Sequence, residues 1–493
     1  MVSDIIGSDT TGIMMARTFT SGRAWQSAVR NGLLPRVWRM ATTGLTALLA
    51  CGTLAPPSAQ AQGLPLIRDT EIENLLNDYA RPLFRAAGLG TGRVQMRIVK
   101  NDSFNAFVLD GRNVFIHTGS LTQADTPNQV IGVIAHETGH ISGGHLAALR
   151  ARIARDQTRA LLVQILGIGA IIGGAVAGGD QGREVGGAGQ GILGAGNEII
   201  LRSLLAERRS QEGAADQAGL SFLNATKQSG RGMLETFERF AQQEYISEAH
   251  KDAFVRSHPV ATDRLARLRE LVEKSPLYAE KDPPQLQLRH DLMRAKLAGY
   301  LDRPGVVLNR YPATDRSLPA RYARALARYF QGGQGALEAA TAEVDGLIRE
   351  KPDYPYFWEV KGDLYMRSGK MKEAIPNLKQ ALKLAPDASL IRVQLATALQ
   401  SGDEPGAVAE SVELLRKSLI EDQNPRAYRL LANAYFKQNR APEADAMQAQ
   451  AHFFEGDLKQ AQIFAKRAQT RLKAGTPVWA NNEDVINYKL PQS

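Results

Sequence analysis

The chain is poor in cysteine. Among 493 residues there is one, Cys51, so no disulfide can close within the chain and no thiolate-based zinc site is available. Any metal held here must take its ligands from His, Asp or Glu. Aromatic residues are also sparse, at 6%, and no run of Lys and Arg is interleaved with them. The net charge of +9 is spread along the chain, which describes a basic soluble protein and excludes nucleic acid as the expected partner. Long apolar runs are scarce. Hydrophobic residues make up 44% and charged residues 23%, ordinary values for a globular protein. The length exceeds what one core supports, so two or more folded units are expected.

The first sixty residues read as a targeting segment. Arg36 and Arg39 flank the small and apolar run Ala41 to Ala55, and Ala59-Gln60-Ala61 fits the A-x-A pattern of signal peptidase with cleavage before Gln62. The stretch before Arg36 is long for such a segment, and Met14 or Met15 is an alternative start. Leu48-Leu49-Ala50-Cys51 offers a second reading, a lipobox in which Cys51 becomes the lipidated first residue. Both readings export the chain, to the periplasm or to a membrane tether.

Beyond the signal, Ile72, Leu75, Leu76, Tyr79 and Leu83 recur at helical spacing over Asp69 to Leu89. Val94, Met96 and Ile98 alternate as in a half-buried strand, and Phe104 to His117 reads as a hairpin turning on Asp110-Gly111. One long helix is expected over Thr126 to Ala151. Leu161 to Gly179 carries a single polar residue, Gln164, among many glycines. It is read as a hairpin on a membrane surface or over the substrate, as a buried helix, or as a span just long enough for a bilayer. Helical pattern resumes over Glu198 to Gly219, Gly232 to Gln243 and Ala261 to Lys274, and Asp282-Pro283-Pro284 looks like a linker.

The C-terminal half repeats. Trp358, Gly362, Tyr365, Ala374, Leu378, Ala381 and Pro386 fall at the offsets of a tetratricopeptide unit, and Tyr428, Leu431, Ala432, Tyr435, Ala444 and Ala451 repeat them. Leu395, Leu399, Leu415 and Ser418 fit a degraded copy, and Ala320 to Leu347 another. Gly456-Asp457-Leu458 with Ala461 and Ala468 suggests a further second helix. Stacked units of this kind present a surface to peptides or protein partners.

The chemistry gathers on His136-Glu137-Thr138-Gly139-His140. Histidines four apart project from one helix face and can reach one tetrahedral zinc, and the intervening Glu stands where it can take a proton from a water. The apolar lead-in Val130 to Ala135 indicates a buried helix. A catalytic zinc needs a third protein ligand. His145 lies nine residues after His136, half a turn around a continuous helix, and faces away unless the helix breaks at Gly143-Gly144. A metzincin would need His at position 146, where Leu146 stands. Glu212 is the better candidate. It lies in Glu212-Gly213-Ala214-Ala215-Asp216, whose small residues allow close packing on the motif helix, and Asp216 shares its face, placed to orient a ligating histidine. His258, held by Pro259, either stabilises the oxyanion of the tetrahedral intermediate or occupies the open coordination position at rest.

Together these segments resemble the M48 family of metallopeptidases: His136 to His140, then Glu212 to Asp216, then His258 to Arg264. Asn105-Ala106-Phe107 looks like that family's edge-strand segment, where a substrate backbone is thought to lie. The resemblance covers about residues 66 to 275. It implies one Zn2+ per chain on His136, His140 and Glu212, Glu137 and His258 as catalytic groups, Asp216 and Arg264 as supports, and Asn105, Ala106 and Phe107 at the substrate. The expected fold is mainly α with a small β-sheet (α+β), a zincin-like metallopeptidase domain followed by a tetratricopeptide-repeat solenoid. The expected division is a signal peptide over 1–61, a peptidase domain over 62–278, a linker and first helices over 279–315, repeats over 316–475 and a tail over 476–493. With the export signal, the resemblance implies a zinc metalloendopeptidase acting on misfolded or misassembled envelope proteins, outer-membrane proteins among them. Partners would be unfolded substrates, outer-membrane assembly machinery through the repeats, and a membrane surface through Leu161 to Gly179. The competing reading is a chaperone or assembly scaffold with a silent or autoinhibited zinc site.

Overall fold

The structure, a computed structural model, describes residues 64–152 except 91, 93 and 110, residue 155, residues 206–241, and residues 253–489 except 261 and 403. The export segment with Cys51 and the glycine-rich stretches 161–179 and 186–196 lie outside the described residues.

The apolar spacing that begins at Ile72 becomes helix α1, Thr70–Ala86. Asp69 caps it by accepting from the Ile72 amide at 3.1 Å, and Ile72, Leu75, Leu76, Tyr79 and Leu83 form its buried stripe. Strands β1 (Leu66–Ile67), β2 (Gln95–Val99), β3 (Ala106–Val108) and β4 (Asn113–His117) make one sheet in the order β1-β2-β4-β3. β1 and β3 are antiparallel to their neighbours and β2 is parallel to β4. The expected hairpin is present, with Phe107 opposite Phe115 and Gly111 at φ +71° in the turn. β3 forms one edge of the sheet.

After the short helix α2 (Thr118–Gln123), α3 (Pro127–Ser142) starts at a Thr126 cap followed by proline. Val130, Ile131, Val133, Ile134 and Ala135 are all at most 1% exposed, so this helix runs through the core with apolar neighbours on every side. It packs against α1 and against α6 (Arg231–Ala241). Here the expectation of one helix over Thr126 to Ala151 fails. α3 ends at Gly143, Gly144 takes φ +63°, and a new helix, α4, covers 145–152. A left-handed residue after the last turn is the ordinary way a helix stops, and glycine adopts it without a Cβ clash. Helices α5 (206–225), α7 (Ala253–Ser257) and α8 (Thr262–Glu273) complete this part of the chain.

Pro284 opens α9 (Pro284–Leu301), followed by α10 (Pro304–Arg310). Antiparallel pairs then stack in sequence: α11 (Leu318–Gln331) with α12 (Ala336–Glu350), α13 (Pro355–Arg367) with α14 (Met371–Leu384), α15 (Ser389–Gln400) with α16 (Ala407–Glu421), and α17 (Pro425–Lys437) with α18 (Ala441–Phe454). α19 (Leu458–Gln469) packs chiefly on α18, which precedes it, as the second helix of a pair, and α20 (Pro477–Asn487) packs on both. Small residues make the crossings possible: a Cβ on Gly362 would stand 2.7 Å from the Leu378 side chain.

The described residues from Leu66 onward form one compact unit. A buried charge cluster joins its two parts. Lys296 on α9, 2% exposed, places Nζ 2.8 Å from Asp69, 3.3 Å from Glu71 and 3.2 Å from Glu359. Tyr322 and Tyr354 donate to the two oxygens of Glu71 at 3.2 and 2.7 Å. Among the described residues, no helix is long and apolar enough to cross a membrane.

Candidate metal centre

His136 and Glu137 sit in the last turns of α3, 0% and 1% exposed. The close approach that the small residues of α5 suggested is present. A Cβ on Gly139 would stand 2.6 Å from the Ala215 carbonyl oxygen, so this glycine lets α5 lie directly on α3. That contact carries Glu212 and Asp216 to the histidines. His140 Nε2 is 3.1 Å from His136 Nε2, and Glu212 places Oε2 3.3 Å from His136 Nε2 and Oε1 3.4 Å from His140 Nε2. His258 enters from the other side, its Nδ1 3.1 Å from His136 Nε2 and 3.2 Å from Glu212 Oε2. One donor atom from each of these four residues lies within 4.8 Å of the others.

Each donor is aimed by what holds its far side. His136 Nδ1 stands 2.9 Å from Asp216 Oδ1, which can only accept, so Nδ1 carries the proton and Nε2 turns its lone pair to the cluster. Arg264 donates twice to Asp216, at 2.5 and 2.8 Å, once to the Pro259 carbonyl at 2.8 Å, and lies 3.0 Å from Glu212 Oε2. Its guanidinium stacks 4.9 Å from the Phe237 ring, which also meets His136 edge-on. His258 Nε2 faces the Ala106 carbonyl at 3.3 Å. Ser257 donates to Asn105 Oδ1 at 2.9 Å, tying the His-Pro turn to the start of β3.

Burial acts on every ionisable group here, and the neighbours decide the outcome. Burial would raise Glu212 and Asp216, yet the histidines beside Glu212 and Arg264 and His136 beside Asp216 hold both carboxylates below their ordinary values. Burial pulls His136 down, and hydrogen bonds to Asp216 and Glu212 outweigh it. His140 is pulled down by burial to about 4, and burial also lowers His145. Glu137 is pushed up to about 7, first by burial and then by Glu212, with His258 and Arg264 opposing.

The donor set fits a divalent ion of tetrahedral preference. Four ligands about 2.0–2.1 Å from one centre stand about 3.3 Å apart; five of the six pairs here, counting either oxygen of Glu212, run from 3.1 to 3.4 Å, and one donor from each residue lies within 4.8 Å of the rest. With their protons on the far nitrogens, against Asp216 and the Ala106 carbonyl, His136 and His258 turn two lone pairs on each other 3.1 Å apart beside a carboxylate, and a cation satisfies them together. Glu137 stands beside this group and is not one of the four donors. Its Oε1 is buried without a hydrogen-bond partner, 3.3 Å from His258 Nε2.

Of the residues singled out in the sequence, His136, Glu137, His140, Glu212, Asp216, His258 and Arg264 come together. Ala106 joins them through its carbonyl. Phe107 stacks on Phe115 at 5.3 Å and lines a cavity of about 400 Å3 that opens on Glu137, His140 and His258. The Asn105 side chain accepts from Ser257, which lines that cavity while Asn105 does not. His145, set aside as facing away, returns to the site because the helix breaks: its Nδ1 is 3.0 Å from His140 Nδ1. Phe237 and Ser257 were missed, since an apolar helix residue and a serine before His-Pro carry no signal of their own.

A sheet backed by a buried His-x-x-x-His helix, with a carboxylate from a second helix closing the cluster and a free Glu beside it, defines a metallopeptidase. Residues 67–272 match Peptidase family M48, and residues 355–388 match the tetratricopeptide repeat. The chain thus carries an M48 peptidase domain with tetratricopeptide-repeat structure behind it. It is 24% identical over 428 residues to the beta-barrel assembly-enhancing protease of Yersinia pestis, covering 84% of this chain and 82% of that protein. The protein of the same name from Escherichia coli (strain K12) is 24% identical over 427 residues, with the same coverage. The metalloprotease LoiP of E. coli (strain K12) is 27% identical over 178 residues, 36% of this chain and 62% of LoiP.

Proposed function

We propose that this metallopeptidase is a zinc-dependent endopeptidase of the periplasm that cleaves misfolded or misassembled envelope proteins, outer-membrane proteins among them. The observation that carries the reading is the convergence of His136, His140 and Glu212 beside Glu137, whose buried Oε1 has no hydrogen-bond partner. Three nitrogen and oxygen ligands with no thiolate suit zinc. The name of the Yersinia and E. coli relatives, which match across most of the chain, supports the substrate class, and the A-x-A site ahead of Gln62 supports export. The stacked helix pairs offer a surface for protein partners, outer-membrane assembly machinery included.

A zinc ion held there supplies the Lewis acidity that makes water nucleophilic near neutral pH and polarises the scissile carbonyl. The remaining work falls to the chain. Glu137 takes a proton from the attacking water and returns it to the leaving amide nitrogen. The free edge of β3 receives the substrate backbone through the outward-facing main-chain groups of Ala106 and Val108, those of Phe107 being paired with Phe115 on β4. Asp216 and Arg264 keep His136 and Glu212 in place.

A second reading has its own observation. His258 Nδ1 lies among the ligand atoms, where it serves as a fourth ligand and closes the site at rest. In that state the protein binds clients without cleaving them. His258→Ala separates the roles: increased proteolysis marks a cap, and lost proteolysis marks an oxyanion stabiliser. The substrate class is tested by crosslinking in the native envelope. Glu137→Gln should retain unassembled outer-membrane proteins above the level seen with Glu212→Ala, and no enrichment of envelope proteins would refute it.

A further inference from the structure

Three histidines turn a nitrogen to the cluster, and in each the opposite nitrogen has a partner. For His136 it is the Asp216 carboxylate, and for His258 the Ala106 carbonyl. For His140 it is the imidazole of His145, with the two Nδ1 atoms 3.0 Å apart. Only one proton fits between two ring nitrogens. If His145 Nδ1 held it, His140 would be left to protonate at Nε2, the atom that faces His136 and Glu212. With His145 accepting, His140 carries Nδ1–H and its Nε2 lone pair is free for the cluster.

We propose that His145 is a positioning residue for the metal centre: it accepts the Nδ1 proton of His140 and so fixes the tautomer and ring orientation with which His140 ligates. The proposal rests on the reading of His140 as a ligand.

The local backbone is built for this contact. On a continuous helix His145 would point away from His140. α3 instead stops at Gly143, whose amide bonds to the Gly139 carbonyl at 2.9 Å, and Gly144 at φ +63° turns the chain. The Ala148 amide then bonds to the Gly144 carbonyl at 3.0 Å, and α4 sets off in a new direction with His145 in its first turn. The two glycines have different tasks. Gly144 supplies the left-handed turn. Gly143 sits at φ −75°, which any residue adopts, so its value lies in the missing side chain. A Cβ there would stand 2.4 Å from His145 Nε2 and 2.8 Å from Cδ2. The imidazole occupies the space that a side chain at 143 would fill, and its tip is the part that would be displaced. His136 is held by a charged carboxylate within the core, whereas His140 and His145 lie on the half-buried side of the cluster, where a neutral acceptor suffices.

The experiment uses the full mature chain stripped of metal, with Co2+ as the probe, read by its d–d absorption and by competition with a chelator. His145→Phe keeps the ring and removes the acceptor. Co2+ affinity should fall about 10- to 100-fold with a changed d–d spectrum, while thermal unfolding of the metal-free protein stays at the wild-type value. His145→Asn places an amide oxygen near the position of Nδ1 and should recover most of the affinity; His145→Gln, whose oxygen reaches the position of Nε2, should not. Gly143→Ala should behave like His145→Phe although it alters no polar group. Wild-type Co2+ affinity and spectrum in His145→Phe would overturn the proposal, as would His145→Asn binding as weakly as His145→Phe. His140→Ala guards the premise. If it binds Co2+ like the wild type, the reading of the metal centre fails; if it loses Co2+ while His145→Phe does not, only the role of His145 fails.

Discussion

Gly139 lies against Ala215 so closely that a methyl group on the glycine would stand 2.6 Å from the alanine carbonyl oxygen and 2.9 Å from its Cα. The contact brings α5 onto α3 and sets the reach of Glu212, three residues before Ala215, to His136 and His140. The obstruction is backbone, which cannot swing aside as a side-chain tip can.

Gly139→Ala should therefore destabilise the protein by about 1–3 kcal/mol and lower its bound metal, because α5 must retreat. Gly213→Ala is the control. Its Cβ would meet nothing within 4 Å, and alanine is the better helix former, so stability and metal content should hold or improve. Denaturant unfolding with metal analysis of both variants checks this.

Among the described residues, Lys296 is the one cation with ion pairs to Asp69, Glu71 and Glu359 in the buried cluster between α1, α9 and α13. Lys296→Met leaves these carboxylates without it and should cost about 3–5 kcal/mol. Lys296→Met with Glu359→Gln should recover part of the loss. Because Asp69 also caps α1, which packs on α3, loosening should spread to the metal helix. Hydrogen exchange over 127–142 should rise in the single variant and less in the double one.

His290 is held neutral by burial, its value lowered to about 4 from an unfolded value of about 6.5. Between those two values the unfolded chain binds a proton that the folded chain refuses. The stability from this residue is full above about pH 6.5 and is lost as pH falls towards 4, to a total of about 3 kcal/mol. Glu359, raised to about 7 chiefly by burial, acts in the opposite sense over much of that window. The test is thus a difference. His290→Gln should lose less stability than the wild type between pH 7 and pH 4.5, measured by urea unfolding. Parallel pH profiles would refute it.

Much of this was legible in the sequence because it rests on local spacing. Histidines at 136 and 140 share a helix face by geometry alone. The apolar stripe of α1 and the seven-position repeat pattern around Trp358 to Pro386 each gave the element found. Glu212 was reachable because Gly213, Ala214 and Ala215 announced close packing. What could not be read depends on contacts between distant segments. Lys296 meeting Glu71 and Glu359 has no local signature. His145 was misplaced because periodicity was carried through Gly143-Gly144, where the paired glycines in fact end the helix. The hydrogen bond from Ser257 to the Asn105 side chain, 152 residues away, has no local signature either.

Cleavage of an unfolded protein such as casein by the metal-loaded Glu137→Gln variant, with metal content measured on the same sample, tests the central claim most directly. In the proposed mechanism Glu137 moves the proton and is not a ligand, so the variant should keep its metal while the cleavage rate falls about 10²- to 10⁴-fold. A fully metallated Glu137→Gln variant cleaving at the wild-type rate would contradict the account.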